Sequence, residues 1–293
     1  MFVTVFFSIS GTVLYHNYSK MYSLRAFYFK RWKSIFPAYY LCFFFFYLKN
    51  VFYKKKLFYK RNKISLLFTI FGMDGYFGEF TKTYHLVGGW FLGTIIIIYI
   101  LFPFMLCILK KNFLILPIIL IIIFICQINY YEIGRNHNKN LFNCIFRFYF
   151  GILSRKFSLD KNFYVGVISI IIHIILCSFV IPKFKYIIII NNIQGFSLYI
   201  ILVHIGNYIM KTKLNAIFKE ISKLSFFMFL FHHRIIIDMK GLIDSNKLSN
   251  PITNIGAIIL LTMISSKALY IIVNYLFKSD NFKKLEYIFY NPI

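Results

Sequence analysis

Apolar positions in this chain fall in long blocks separated by short basic segments. The pattern lacks both the two-residue alternation of a half-buried strand and the one-sided stripe of a soluble helix. Helices that are apolar all round belong in hydrocarbon, where about 20 residues are needed to cross. Read in order, the blocks are Met1 to Tyr15, Ile35 to Tyr53, Gly88 to Leu109, Phe113 to Tyr130, Leu141 to Ser154, Phe163 to Pro182, Ile188 to Ile209, Lys223 to Asp238 and Asn254 to Phe277. They predict an all-α polytopic membrane helix bundle with about nine transmembrane helices, forming a single membrane-embedded domain over residues 1–293.

The segments between the blocks carry most of the polar chemistry. Arg25, Lys30 and Lys33 at helical spacing predict an amphipathic surface helix over Ser19 to Lys33. Pro37 follows, and because proline loses no hydrogen bond in a first turn, the spacing predicts that a helix restarts there and runs inward. Tyr39 and Tyr40 then suit the interface. Lys54 to Lys63 reads as a basic loop against lipid headgroups, Ile64 to Met73 as a piece too short to cross, and Asp74 to His85 as a Gly-rich polar loop. Cations fixed at the membrane surface, as Lys30, Arg31 and Lys33 are expected to be, attract phosphate of lipid or of a phosphate-bearing substrate.

Composition adds a large formal charge of +25 to a mean hydropathy of +0.69. In a soluble protein that charge would suggest nucleic acid, but here the cations fall mostly between apolar runs, so their placement is topological and no nucleic-acid partner is expected. Cys42, Cys107, Cys126, Cys144 and Cys177 stand singly, as small core hydrophobes without metal-ligand or disulfide spacing. His232 and His233 lie inside an apolar block, where an ionisable ring needs a cavity or a partner. His173 and His204 read as interhelical, His16, His85 and His137 as loop or interface residues, and Arg234 as one turn from a partner in Asp238.

Four stretches carry a resemblance: FFSISGTVLY from Phe6, FYFKRWKSIFPAYY from Phe27, GGWFLGTIIIIYILFP from Gly88 and KLSFFMFLFHHRII from Lys223. In this order they resemble the acyltransferase-3 family of integral-membrane O-acyltransferases. The resemblance implies transfer of an acyl group, acetyl above all, from coenzyme A at the cytoplasmic side to a hydroxyl of a cell-surface glycan or its lipid-linked precursor, in the cytoplasmic membrane. It also implies that Lys30, Arg31 and Lys33 bind the phosphates of acetyl-CoA, with Arg31 at the first arginine of the family's Arg-x-x-Arg segment and Ser34 at the second. Asp74, Tyr76 and Trp90 are the expected substrate-binding residues. The family opens with a helix bearing Arg or Lys and a catalytic His, and none precedes Phe6, so the chain is expected to be N-terminally truncated and inactive. Gly89 stands where similar members carry Glu. His232 or His233 would have to supply the base. A non-enzymatic remnant of the family is the alternative, and a glycan transporter a weaker one.

Overall fold

The computed structural model describes residues 1–20, 23–54, 64–78, 80–84, 86–130, 139–178, 187–244 and 251–277. They form eleven helices: α1 (Phe2–Tyr18), α2 (Leu24–Lys54), α3 (Ser65–Ile70), α4 (Asp74–Phe77), α5 (Gly89–Lys111), α6 (Ile115–Tyr130), α7 (Leu141–Lys156), α8 (Phe163–Ser178), α9 (Ile187–Ile209), α10 (Asn215–Asp244) and α11 (Pro251–Phe277). Among the described residues there is no strand. Each block expected to span contains a helix among its described residues. Four helices, at Leu24–Tyr53, Gly89–Lys111, Ile188–Ile209 and Thr253–Phe277, are long and apolar enough to cross a membrane. Helices of 16 or 17 residues, such as α1, α7 and α8, are about 24 to 26 Å long, short of a hydrocarbon core of about 30 Å.

Two expectations for the first third of the chain are corrected. The surface helix and the span after it are one helix, α2, with Pro37 inside it. Membrane helices tolerate an interior proline because neighbouring groups take up the backbone carbonyl that it frees. The Gly-rich stretch expected as a polar loop from Asp74 to His85 is, among its described residues, helical in its first turn only. That turn folds inward as α4, with Asp74 and Gly75 buried. His16 lies in the last turn of α1. Most of the basic run after Lys54, together with His85 and His137, lies outside the described residues.

The contacts divide the chain into two compact units. Unit 1 comprises Met1–Tyr22 and Ile98–Asn215. In it α1 runs parallel to α7 at a constant offset of 139 residues: Ser8 Oγ donates to the Arg147 carbonyl, Thr12 Oγ1 to the Gly151 carbonyl, and His16 meets Arg155. Glycines permit this approach, since a Cβ at Gly11 would overlap the Phe148 carbonyl and one at Gly151 the Ser8 carbonyl. Arg147, fully buried, donates through Nε to Asn192 Oδ1 at 2.7 Å, and Asn192 donates to Asn143 at 2.9 Å. Thr12 also meets the Tyr199 hydroxyl, which joins α9 to the pair. α8 and α9 form an antiparallel pair tied by His173 to Ser197 at 3.1 Å and Gln194 to the Leu176 carbonyl at 3.1 Å.

Unit 2 comprises Ser23–Ile97 and Ala216–Ile293. α2 is its long axis. Phe46 packs edge-on against Phe231, and Lys49 pairs with Asp238, so α10 runs parallel to α2 along this stretch. The pairing of Arg234 with Asp238 is found as the sequence suggested, at 3.6 Å, and is joined by Asn50, which accepts from Arg234 at 3.3 Å.

Candidate active site

The polar centre of unit 2 is built on the segment from Ser65 to Thr83. Thr69 Oγ1 donates to the Asp74 carboxylate at 2.8 Å, and Thr83 Oγ1 donates to the Asp74 carbonyl at 2.8 Å. Ser65 fastens the segment to the Lys82 carbonyl at 3.0 Å, and the Tyr40 hydroxyl donates to the Ile70 carbonyl at 2.6 Å. Asp74 is 1% exposed and Tyr39, also 1% exposed, stands beside its carboxyl group. A buried acid is tolerated only where donors reach it: Thr69 donates to the carboxylate itself, and Thr83 ties down the backbone carbonyl of the same residue.

Glycines bring this segment onto the start of α5. A Cβ on Gly75 would run into the backbone of Gly89 and Trp90, and one on Gly93 would press on Tyr76. Gly88 and Gly89 have φ of +81° and +54°, the left-handed region where a side chain is strained. Nothing lies within 4 Å of the ideal Cβ at Gly89, so this position opens on free space. Phe91, one residue beyond Trp90, packs on Phe229 of α10 with ring centroids 5.3 Å apart.

On α10, His232 and His233 are both exposed. His232 Nδ1 lies 2.7 Å from the Phe229 carbonyl oxygen and therefore donates to it. In the neutral ring that leaves the lone pair on Nε2, the nitrogen free to accept a proton. The Phe229 ring is 5.8 Å from the His232 ring, which sets His232 within a turn of the contact between α5 and α10.

The expected phosphate-binding cations stand at the other end of α2. Lys30 is exposed, Arg31 and Lys33 are half-buried, and Lys33 Nζ lies 5.0 Å from the centre of the Phe277 ring. From Lys33 to Phe46, the level of the His pair, is about 20 Å along the helix at 1.5 Å per residue. The structure thus gathers Asp74, Tyr76 and Trp90 near one another and joins them to the His232 neighbourhood through Phe91, while Lys30, Arg31 and Lys33 stand about 20 Å along α2 from the level of the His pair. Sequence reasoning missed Tyr39, Thr69 and Thr83 as partners of Asp74. Thr69 and Tyr39 gave a signal by interrupting apolar runs, while Thr83 lies in the polar stretch from Thr81 to His85 and gave none.

These features define an all-helical integral membrane protein with a buried polar centre, cations at one end of its longest helix and a histidine pair toward the other. A family model described as an acyltransferase domain matches residues 1–271, and the chain belongs to the acyltransferase-3 family. No curated protein and no solved structure matches it.

Proposed function

We propose that the protein is an O-acyltransferase of the cytoplasmic membrane, taking an acyl group, acetyl above all, from acyl-CoA and passing it to a hydroxyl of a cell-surface glycan or its lipid-linked precursor. The family match across residues 1–271 carries this reading. Lys30, Arg31 and Lys33 would hold the donor's phosphates. The pantetheine arm, long and uncharged, suits the separation between those cations and the histidines, because it can cross apolar surroundings without stranding charge. His232 is the base in this scheme, since its Nδ1 is held by the Phe229 carbonyl and Nε2 is left to accept. Nε2 takes the proton of the acceptor hydroxyl as its oxygen attacks the thioester carbonyl carbon. The C–S bond then breaks, and the leaving thiolate recovers the proton. Asp74 positions Tyr39 and the start of α5 rather than touching the reacting atoms.

The test is purified full-length chain in proteoliposomes with acetyl-CoA, with and without a glycan extract, followed by thiol release. Acceptor-dependent release, lowered about 10² to 10⁴-fold in His232→Gln and little changed in His233→Gln, would support this reading against the expectation of an inactive chain. Absence of turnover in the unmodified protein would sink the enzyme reading in favour of a non-enzymatic member of the family.

A further inference from the structure

The parallel packing of unit 1 gathers charge at one end of it, a feature the acyl-transfer reading does not use. α1 and α7 finish side by side, as the contact of His16 with Arg155 at 3.1 Å shows. α9 finishes with them, because Asn207 Nδ2 donates to the Asp160 carbonyl at 3.0 Å just past the end of α7. The end of α5 is there too: the Phe113 carbonyl accepts from the Tyr149 hydroxyl at 3.1 Å, and Lys156 Nζ lies 5.0 Å from the centre of the Phe113 ring. Lys20, Lys110, Lys111, Lys161, Lys211 and Lys213 are all exposed at this end. Among its described residues Asp160 is the one acid, and Arg155 already pairs with it at 2.8 Å.

Helix dipoles account for part of this charge. Arg155 and Lys156 in the last turn of α7, and Lys110 and Lys111 in that of α5, face the negative ends of their own helices. Lys20, Lys161, Lys211 and Lys213 lie outside any helix. Capping is no reason to crowd them together, and like charges so placed repel unless an external anion offsets them. The aromatic residues around them point to where that anion comes from. Phe163, Tyr164 and Tyr208 are 74%, 75% and 73% exposed, the mark of rings lying at the headgroup level of a bilayer.

We propose that this end of unit 1 is a seat for acidic phospholipid headgroups and lies at the cytoplasmic face of the membrane. The lysines supply the charge, and the exposed rings hold their level at the boundary between headgroup and acyl chain. The inference does not rest on acyl transfer and survives if the protein proves to have no activity.

The experiment uses the full chain in nanodiscs of phosphatidylcholine mixed with phosphatidylglycerol, reading the lipids that stay bound to the released protein by native mass spectrometry. Phosphatidylglycerol should be enriched around the unmodified protein and the enrichment should weaken with salt. It should fall roughly five-fold for each charge removed in K20Q, K161Q, K211Q and K213Q, alone and combined. The single variants carry the test if the combined one fails to fold. Millimolar inorganic phosphate should leave the enrichment unchanged. Equal association with both lipids, or undiminished enrichment in the variants, would overturn the proposal, as would displacement by phosphate, which would mark a site for a free anion instead. In a background without the native cysteines, K20C should react with a membrane-impermeant maleimide from the cytoplasmic side only. Reaction from outside would overturn the orientation.

Discussion

At the scale of single residues, the carboxyl group of Asp74 shows how a short polar side chain organises its surroundings. It accepts from Thr69 in the interior of unit 2, where no water replaces a lost donor. Thr69→Val should therefore lower stability by about 1 to 3 kcal/mol, the cost of leaving a buried acceptor short of a partner, whereas Thr69→Ser should lose much less. Thermal unfolding in detergent micelles measures both, and equal melting of the two variants would remove the hydroxyl from the argument. Glycines divide in the same way. Gly75 is in contact with the Gly89 backbone, so Gly75→Ala should cost roughly 1 to 3 kcal/mol as backbone is forced apart. Gly206 has nothing within 4 Å of its ideal Cβ, and Gly206→Ala should be neutral or stabilising by up to about 1 kcal/mol, as expected for glycine replaced inside a helix.

At the scale of elements, α2 and the pair α1 and α7 carry the main lessons. α2 passes through Pro37 without ending, so Lys30, Arg31 and Lys33 belong to the same rigid element as Phe46 and Lys49. Because the cytoplasmic reading of the basic end follows the family order, S23C in a cysteine-free background should be protected from impermeant reagent added outside the cell. Ready labelling from outside would reverse the orientation of α2. The α1 and α7 pair depends on bare backbone contact, with Gly151 against the Ser8 carbonyl. Gly151→Leu should separate the two helices, break the Thr12 bond to the Gly151 carbonyl and unfold unit 1 at markedly lower temperature. Unchanged melting would mean that the two helices do not pack as described.

At the scale of the whole molecule, the two units hold their polar centres separately. Arg147, Asn192 and Asn143 lie within unit 1, and Asp74, Thr69 and Thr83 within unit 2. Each of these hydrogen bonds joins residues of one unit, so each centre is expected to stabilise the unit that holds it. Combining Thr69→Val with Asn192→Leu should give a stability loss equal to the sum of the two single losses within about 0.5 kcal/mol. A larger departure, measured by unfolding of all three variants under one condition, would show that the two centres are coupled.

The amino-acid sequence by itself determined the helical class, the apolar stretch inside each long helix, the pairing of Arg234 with Asp238 and the family. Each of these is written in runs of neighbouring residues or in spacings of three or four, so local pattern suffices to read it, whereas Cys107, Cys126 and Cys177, read as core residues, are exposed. What only the tertiary structure decided lies between residues far apart in the chain. The parallel register of α1 with α7 joins residues 139 positions apart, and the burial of Arg147 depends on Asn192, 45 positions away. Asp74 looked like the start of a polar loop because glycine and tyrosine follow it in sequence. It is buried because Thr69 and Thr83 supply donors and the glycines let α4 close against the start of α5. Pro37 looked like a helix start because propensity treats an interior proline as a break, whereas in an apolar setting the remaining backbone bonds have no water to exchange with and the helix continues. The separation of Lys33 from the histidine pair could not be read either, because it depends on which stretch of α10 packs along α2, and apolar faces of leucine, isoleucine and phenylalanine do not specify their partner locally.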